Sequence, residues 1–325
     1  MGRGRSDEVP TAGRRQVSGA EKLRVGRRTL SLSSLDKVLF PDVGVTKGDL
    51  IEHYRRVAAR MVPHMKGRPV SMQRFPEGIG GEGFFQKDAP DYFPDWIRRV
   101  TVEKKGGTVE HAICDDAATL VYLANQNCIT PHVWLSRADR LHHPDRLIFD
   151  LDPPGEDFDA VRFAAGALRE LLGELGLAPF PMTTGGRGMH LLVPLDRRAD
   201  FDAVRVFARD AAEVLAARHR DRLTTEARKN KRRGRLFLDV MRNSYAQTAV
   251  PPYAVRARAG APVAVPIAWR ELSDPGLTGG KWNTRNVASR LRKKDPWQGL
   301  SRHARSLSGP RRKLDRLLAA AEDRR

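Results

Sequence analysis

The sequence has little cysteine and no long apolar run, and each absence narrows the class of protein. Cys114 and Cys128 are the only cysteines in 325 residues, so neither a disulfide framework nor a cysteine-ligated zinc site is predicted. No stretch of about 18 apolar residues is present, and the N-terminus lacks an apolar signal core. We therefore expect a soluble protein of a reducing compartment, with no membrane partner.

Acidic residues are also outnumbered. The chain has 58 Lys and Arg against 39 Asp and Glu, a formal net charge of +19. Basicity of this size is typical of proteins that bind a polyanion, usually nucleic acid, although a membrane surface exerts the same attraction. Because arginine is frequent throughout the chain, the charge favours a nucleic-acid partner without establishing one.

The distribution of apolar residues predicts one catalytic domain between two basic ends. Residues 1–26 lack periodicity and are rich in Gly, Arg and Ser, which predicts a disordered basic arm. Residues 27–310 predict a domain with two lobes, about 27–140 and 141–310, and residues 311–325 predict a basic helix. In the first, mixed α/β lobe, a helix is expected to begin after Thr46 and to end at Pro63.

The second lobe has the clearer pattern. Strands and helices alternate in the order β-α-β-β-α-β, over about 146–151, 157–175, 180–184, 189–195, 200–219 and 236–241. This is the order of ferredoxin-like and RNA-recognition-like sheets, in which the first and last strands are neighbours. The fold class predicted is therefore α+β, with the first lobe packed on this sheet.

That topology is expected to bring three aspartates together. Asp150 and Asp152 lie on one strand and point to the same face, about 7 Å apart. Alone, such a pair either holds a cation, shares a proton or is solvated at an exposed strand end, and the solvated end is the simplest interpretation. The strand order brings Asp239 beside them. Three carboxylates together are the donors that a site for two divalent cations requires.

Potential phosphate-binding groups surround the same strands. The turn from Thr184 to His190 is rich in glycine, which exposes backbone N–H groups, and Arg187 and His190 add side-chain donors. A Gly-Gly turn between strands is nevertheless ordinarily only a turn. Arg232 and Arg256 flank the last strand and are either solvated surface residues or further phosphate ligands.

The first lobe carries candidates of a different kind. Lys37 lies beside a turn, and Lys47 lies at a helix start, where it adds to an anion site or is an ordinary surface lysine. Phe84 and Phe85 follow a glycine-rich loop and either enter the core or stack on a base. His132 precedes an apolar run, which favours a buried structural histidine.

These segments, in this order, resemble the polymerase domain of bacterial DNA ligase D, a member of the archaeo-eukaryotic primase superfamily. The resemblance runs from about Leu30 to Leu272. Its motifs are SSLDKVLFP with GVTKGDL, RPVSMQRFP with GEGFFQK, PHVWLSR, RLIFDLDPP, TTGGRGMH, and FLDVMRNSYAQTAVPPYAVRAR.

The resemblance implies a role for each matching residue. The catalytic, metal-binding aspartates match Asp150, Asp152 and Asp239. The nucleotide-binding residues match His132, Thr184, Arg187, His190, Arg232 and Arg256. The residues that hold the 5′-phosphate of the downstream strand, or stack near the template, match Lys37, Lys47, Phe84 and Phe85. Thr184 replaces the usual Ser, Arg187 stands where Lys is common, and Thr130 stands where many members carry Glu.

The resemblance also implies an activity. We expect a DNA-directed nucleotidyltransferase of nonhomologous end joining that fills short gaps, extends ends and prefers ribonucleotides, with two Mn²⁺ or Mg²⁺ ions as cofactors. Its expected partners are gapped or broken DNA with a 5′-phosphate, NTP or dNTP, the end-binding protein Ku and a separate DNA ligase. We expect a monomer in the bacterial cytoplasm, associated with the nucleoid. A ligase lysine motif is absent, so the chain is expected to be a stand-alone polymerase or an excised domain. The alternatives are a primer-independent primase and a non-catalytic DNA-end-binding module.

Overall fold

Six α-helices and eighteen strands are formed by the residues that this computed structural model describes, 21–322. The helices are α1 (Lys47–Met65), α2 (Ala117–Asn125), α3 (Phe158–Leu175), α4 (Phe201–Arg218), α5 (Ala288–Leu291) and α6 (Ser308–Glu322). The strands are β1 (Glu21–Val25), β2 (Arg28–Leu32), β3 (Val38–Phe40), β4 (Val45–Thr46), β5 (Val70–Arg74), β6 (Phe84–Gln86), β7 (Arg99–Lys104), β8 (Gly107–Ala112), β9 (Cys128–Trp134), β10 (Ser136–Arg137), β11 (Arg140–Pro144), β12 (Arg146–Asp152), β13 (Phe180–Thr183), β14 (Met189–Pro194), β15 (Leu223–Thr224), β16 (Leu236–Asp239), β17 (Thr248–Ala249) and β18 (Val265–Pro266).

The second lobe is built on a six-stranded sheet with the order β15-β16-β12-β14-β13-β18. Its four central strands follow each other in the chain as β12, β13, β14 and β16, with α3 after the first and α4 after the third. The predicted β-α-β-β-α-β topology is therefore confirmed, and β12 and β16 are antiparallel neighbours. The two-residue edge strands β15 and β18 were not part of the prediction.

Local sequence explains the main elements of this sheet. The apolar residues of β12, Leu147 to Phe149 and Leu151, are buried because elements cover both faces of the strand. The Asp157 side chain accepts a hydrogen bond from the Ala160 N–H (3.0 Å) and caps the start of α3. Gly176, with a φ of 85°, ends that helix in the left-handed conformation that favours glycine.

The first lobe contains a four-stranded antiparallel sheet with the order β17-β9-β5-β6. Its edge strand β17 comes from residues 248–249, far beyond the predicted lobe boundary near residue 140. A two-residue strand has no detectable periodicity, so the sequence did not reveal that residues 248–249 complete the sheet of the first lobe. Tyr54 of α1 strengthens the same connection, since its hydroxyl donates to the Ile129 carbonyl (2.5 Å) and accepts from the Val255 N–H (3.1 Å).

A buried arginine also joins the two lobes. Arg68 has no exposed surface, and its guanidinium donates to both carboxylate oxygens of Asp145 at 2.6 Å. Arg137 and Arg146 contact the same carboxylate. Burial lowers the pKa of Arg68 to about 9, with a further contribution from Arg146, while Asp145 opposes the shift. One aspartate therefore balances three arginines at the seam between the lobes.

Replacing Asp145 with alanine is expected to destabilise the fold by about 3–5 kcal/mol, because buried arginines would lose their counter-charge. Urea unfolding followed by circular dichroism measures this loss. Asp139→Ala is the matched control, since it removes the ion pair of an exposed aspartate with Arg197 and should cost about 1 kcal/mol or less. Equal losses in the two variants would contradict the role assigned to Asp145.

Three local predictions differ from the structure. Glu21–Val25, which were placed in the disordered arm, form β1 and pair with β2; residues 1–20 lie outside the described residues. Pro63 does not end α1, which continues to Met65; a proline this close to the C-terminus removes only one hydrogen bond, and the Lys66 N–H still bonds the Val62 carbonyl. Residues 136–144 also form the β10–β11 hairpin, which the sequence pattern did not indicate.

The C-terminal helix was predicted over 311–325, but α6 begins at Ser308. Its residue Leu314 is buried, and Arg311 donates to Asp210 of α4 at 2.7 Å. The helix therefore packs on the second lobe. Among the described residues, no helix combines the length and apolar character that a membrane crossing needs.

Candidate active site

The three predicted aspartates meet where β12 and β16 pair. Asp150 lies directly opposite Asp239 in the register, and Asp152 lies opposite Phe237. Facing residues of adjacent strands point to the same side of a sheet, so all three carboxylates share one face. They line a cavity of about 220 Å³. The structure thus confirms that Asp239 lies beside the Asp150–Asp152 pair.

Their electrostatic environments differ. Burial acts to raise the pKa of Asp150, but the facing His190 and Arg242 outweigh it, and the pKa lies below its ordinary value. Burial raises the pKa of Asp239, and the charges of Asp150 and Asp152 raise it further, against the hydrogen bond from the Met241 N–H. Asp239 is therefore the carboxylate whose negative charge is least compensated by the protein.

Basic side chains of the protein contact two of these carboxylates. Oδ2 of Asp150 lies 3.5 Å from Nε2 of His190 and 3.4 Å from Nε of Arg242. Oδ2 of Asp152 accepts from Nη1 of Arg232 at 3.0 Å. Within residues 21–322, no three His, Cys, Asp or Glu side chains are arranged as a metal-binding group. The oxygen donors suit Mg²⁺ or Mn²⁺ chemically, but an ion here would compete with the arginines.

The opposite wall is the turn between β13 and β14. A Cβ on Gly188 would lie 2.2 Å from the Leu151 carbonyl oxygen, so only glycine allows this turn to approach the strand of the aspartates. The Thr184 hydroxyl donates to the Gly188 carbonyl (3.1 Å) and closes the turn. Arg187 lines the cavity, with its side chain 4.0 Å from Glu156.

Buried basic residues complete this wall. His132 and His190 both line the cavity, and His132 Nε2 and His190 Nδ1 are buried without a hydrogen-bond partner among residues 21–322. Burial, followed by Arg256 and Arg242, lowers the pKa of His132 to about 3. Burial, then Arg258, lowers the pKa of Arg256 to about 10. The positive charge of Arg256 and Arg258, beside those two ring nitrogens, makes this wall suited to an anion.

Arg232 contacts the Asp152 carboxylate from outside the cavity. It is absent from the cavity lining but is bonded to Asp152, while its Nε and Nη2 donate to the carbonyls of Glu226 (3.1 Å) and Ala227 (2.9 Å). Its guanidinium also lies 4.1 Å from the ring of Phe237. These contacts fix the arginine in place, so it can hold the Asp152 carboxylate in one orientation.

A comparison with known protein families identifies the family of this domain. The family model of the LigD primase-polymerase domain matches residues 46–297, a range that contains the whole cavity lining. This chain belongs to that family.

Individual sequence relatives support the same family assignment. The chain is 36% identical over 258 residues to the multifunctional non-homologous end joining DNA repair protein LigD of Mycobacterium tuberculosis, across 76% of this chain and 34% of that protein. It is 32% identical over 266 residues to the bifunctional non-homologous end joining protein LigD of Bacillus subtilis, across 81% of this chain and 43% of that protein. The chain thus spans less than half the length of these relatives.

A solved structure supports the same family and fold. The polymerase domain of Mycobacterium tuberculosis ligase D in complex with DNA matches with a TM-score of 0.79 at 34% identity, across 85% of this chain and 99% of that chain. The resemblance stated from the sequence motifs and the α+β primase-polymerase fold are both confirmed.

The first lobe of this LigD-family chain holds a second basic site, outside the cavity. Lys47 is buried, its Nζ lies 3.3 Å from the Ser33 hydroxyl, and its pKa is lowered to about 8 by burial, then by Lys37 and Arg74. Lys37 donates to Glu77 at 3.1 Å. The structure therefore brings the two predicted lysines together, and away from the aspartates.

The two phenylalanines lie between these sites on the edge strand β6. Phe84 and Phe85 are 46% and 56% exposed, so neither belongs to the core. The Arg74 guanidinium lies 5.8 Å from the Phe84 ring centroid. Phe85 meets His132 edge to face at 5.4 Å between ring centroids. Exposed rings beside both sites are suited to stacking on a base.

Three arginines of the LigD-family site were not assigned from the sequence. Arg242 contacts Asp150, Arg258 lines the cavity, and Arg74 lies near Lys47. Each stands inside a motif that carries the family resemblance. A position within a motif was thus the available signal, because a single arginine in a basic chain has no distinguishing pattern.

Proposed function

We propose that this chain is a DNA-directed nucleotidyltransferase that fills short gaps and extends broken ends in nonhomologous end joining, with a preference for ribonucleotides. One observation carries the proposal: Asp150 and Asp239 face each other across adjacent strands, opposite a wall of cationic donors. Membership of the LigD primase-polymerase family supports it. Acidic and basic walls facing one another suit a polyphosphate whose charge is neutralised during transfer.

In the proposed reaction the primer 3′-hydroxyl oxygen attacks the α-phosphorus of an NTP. A new oxygen–phosphorus bond forms and the hydroxyl proton passes to solvent water, while the bond to the oxygen bridging the α- and β-phosphates breaks and pyrophosphate leaves with that electron pair. Arg187, His190 and Arg256 donate to the phosphate oxygens, and Thr184 keeps the glycine turn closed. His132 borders the nucleotide. These residues act by orienting the triphosphate and stabilising charge.

The carboxylates have a separate task. Asp150, Asp152 and Asp239 would together hold two Mg²⁺ or Mn²⁺ ions, which when bound supply Lewis-acid stabilisation of the phosphoryl oxygens. Arg232 contacts Asp152 and Arg242 contacts Asp150, and these positive charges limit the mutual repulsion of the carboxylates.

The DNA is proposed to cross from the cavity to the first lobe. Lys37 and Lys47 hold the 5′-phosphate of the downstream strand, and Phe84 and Phe85 stack near the templating base. Support comes from the pairing of the lysines around one buried site and from the exposure of both rings. We further propose Ku and a separate DNA ligase as partners, and a monomer in the bacterial cytoplasm near the nucleoid.

Primer extension on a one-nucleotide gap with a 5′-phosphate tests the proposed function. Incorporation of rNTP should exceed incorporation of dNTP, and the reaction should require Mg²⁺ or Mn²⁺. Equal synthesis on a template without a primer would favour a primase instead. Binding of the gapped DNA with no incorporation under any of these conditions would favour an end-binding module.

The preference for a 5′-phosphate over a 5′-hydroxyl is expected to weaken above about pH 8, because only the ammonium form of Lys47 pairs with phosphate and its pKa is lowered to about 8. Fluorescence anisotropy with both DNAs from about pH 7 to about pH 10 measures the preference. Lys47→Arg stays charged over this range, so its preference should remain constant. A constant preference in the unsubstituted protein would contradict the role of Lys47.

A further inference from the structure

A second cavity lies at the far end of the β12–β14 ladder. Its volume is about 520 Å³, and it is bordered by the end of α1, the β10–β11 hairpin and the loop 295–304. Arg146 pairs with Pro194 at this end, whereas Asp150 pairs with His190 at the other. Four residues of strand separate the two ends by about 14 Å.

Packed side chains divide this cavity from the carboxylate site. Ile148, Met182 and Leu192 lie between them, around a void of only about 10 Å³, which is too small for anything larger than a water molecule. The two cavities are therefore separate spaces, and the second one is given no role in the reaction proposed above.

Positive charge dominates the lining of the second cavity. Four arginines, Arg60, Arg137, Arg146 and Arg197, face two aspartates, Asp145 and Asp295. The buried guanidinium of Arg68 lies behind Asp145 and uses both of its oxygens. Burial and the charges of Arg146, Arg68 and Arg137 lower the pKa of the adjacent His64 to about 3, against the opposing charge of Asp145. An anion would therefore be attracted here.

Two of these arginines are held in place by hydrogen bonds, and one of them keeps a buried donor without an acceptor in the described part of the chain. Nη2 of Arg60 donates to the carbonyls of Leu291 (2.8 Å) and Lys293 (2.7 Å), and both Nη atoms of Arg197 bond Asp139 at 2.8 and 2.9 Å. Nε of Arg197 is buried without a hydrogen-bond acceptor among residues 21–322, whereas Nη1 of Arg60 makes no hydrogen bond but lies 4.0 Å from Oδ2 of Asp295. Anchored guanidinium groups with spare donors are well suited to phosphate.

The remaining walls are apolar. They include Pro63, Leu195, Leu300 and Trp297, whose ring meets that of His64 edge to face at 5.4 Å between centroids. A volume of about 520 Å³ falls within the range of about 300–1,000 Å³ that ligand pockets usually have. We propose that this cavity binds a phosphorylated small molecule of mononucleotide size, with its phosphate at the arginines and its organic body against the apolar wall.

Isothermal titration of the whole chain with 5′-AMP tests this, in EDTA so that no metal supports binding at the carboxylate site. Saturable binding is expected for 5′-AMP, weaker binding for inorganic pyrophosphate, and none for adenosine. Arg197→Gln should weaken the binding of 5′-AMP at least about tenfold, as expected for the loss of one charge-assisted contact. The adjacent Arg198, with a side chain that is 81% exposed, supplies the control Arg198→Gln, which should bind normally.

A second variant avoids removing any existing contact of the arginines. Ser301 is exposed and lines the cavity, so Ser301→Glu adds a negative charge there and should also weaken binding of 5′-AMP. Arg256→Gln reports on binding in the carboxylate cavity, and the binding that Ser301→Glu weakens should persist in it. Absence of saturable binding, equal binding of adenosine, or a loss caused by Arg256→Gln but not by Arg197→Gln would each overturn the proposal.

Discussion

Changing both Asp150 and Asp239 to asparagine is expected to lower the rate of nucleotide addition by about a thousandfold or more, the scale on which lost charge stabilisation acts in such sites. The two residues are paired in the register and point to one face. Asparagine keeps their shape but removes the negative charge that attracts a divalent cation. Single-turnover primer extension on gapped, 5′-phosphorylated DNA measures the rate.

The same variant should still bind that DNA, since Lys37 and Lys47 lie outside the carboxylate cavity. Fluorescence anisotropy should give an affinity near that of the unsubstituted protein. Asp159→Asn is the matched control, because this side chain follows the same strand but is 92% exposed; it should keep full activity. Unreduced activity in the double variant would exclude the proposed chemistry, and loss of DNA binding would exclude separate sites.

The pairing of Asp150 with Asp239 could be predicted because topology is a strong constraint. Six elements with clear periodicity identify a β-α-β-β-α-β sheet, and in that sheet the first and last strands are adjacent. The prediction did not depend on a local sequence motif around either aspartate. The prediction required only that the strand ends be correct within a residue or two.

Other features left no such pattern. The strand β17 has two residues, and its partner β9 lies more than a hundred residues earlier in the chain, so its contribution to the first lobe follows only from tertiary packing. Arg68 resembles any other arginine of a basic chain, yet it is fully buried because Asp145 and several carbonyls satisfy it. Arg242 lies in a 3₁₀ helix of three residues after Asp239, which is too short for periodicity to indicate which way a side chain points.

The second large effect is expected at the Lys37–Lys47 site, which lies outside the carboxylate cavity and can be changed separately. Replacing Lys37 and Lys47 together with alanine should remove most of the preference for a 5′-phosphate over a 5′-hydroxyl, about a hundredfold if each lysine makes a charge-assisted contact. Lys47 is buried beside Lys37 and Arg74, whose charges lower its pKa together with burial. A phosphate dianion would relieve this crowding of positive charge, so the site should gain most from binding one.

Anisotropy with gapped DNAs that differ only in the 5′-phosphate measures the preference, and primer extension on each DNA shows its effect on synthesis. The double variant should bind the two DNAs almost equally and should keep its activity on a primer–template without a downstream strand. Lys293→Ala with Lys294→Ala is the matched control, since both lysines are exposed and the net charge falls by the same amount. If the control lost the preference as well, general electrostatic attraction would account for it; if neither variant lost it, the 5′-phosphate would bind elsewhere. Loss in the first variant alone would assign the phosphate to the site between Lys37 and Lys47, where burial and the charges of Lys37 and Arg74 act on Lys47, and where Glu77 contacts Lys37.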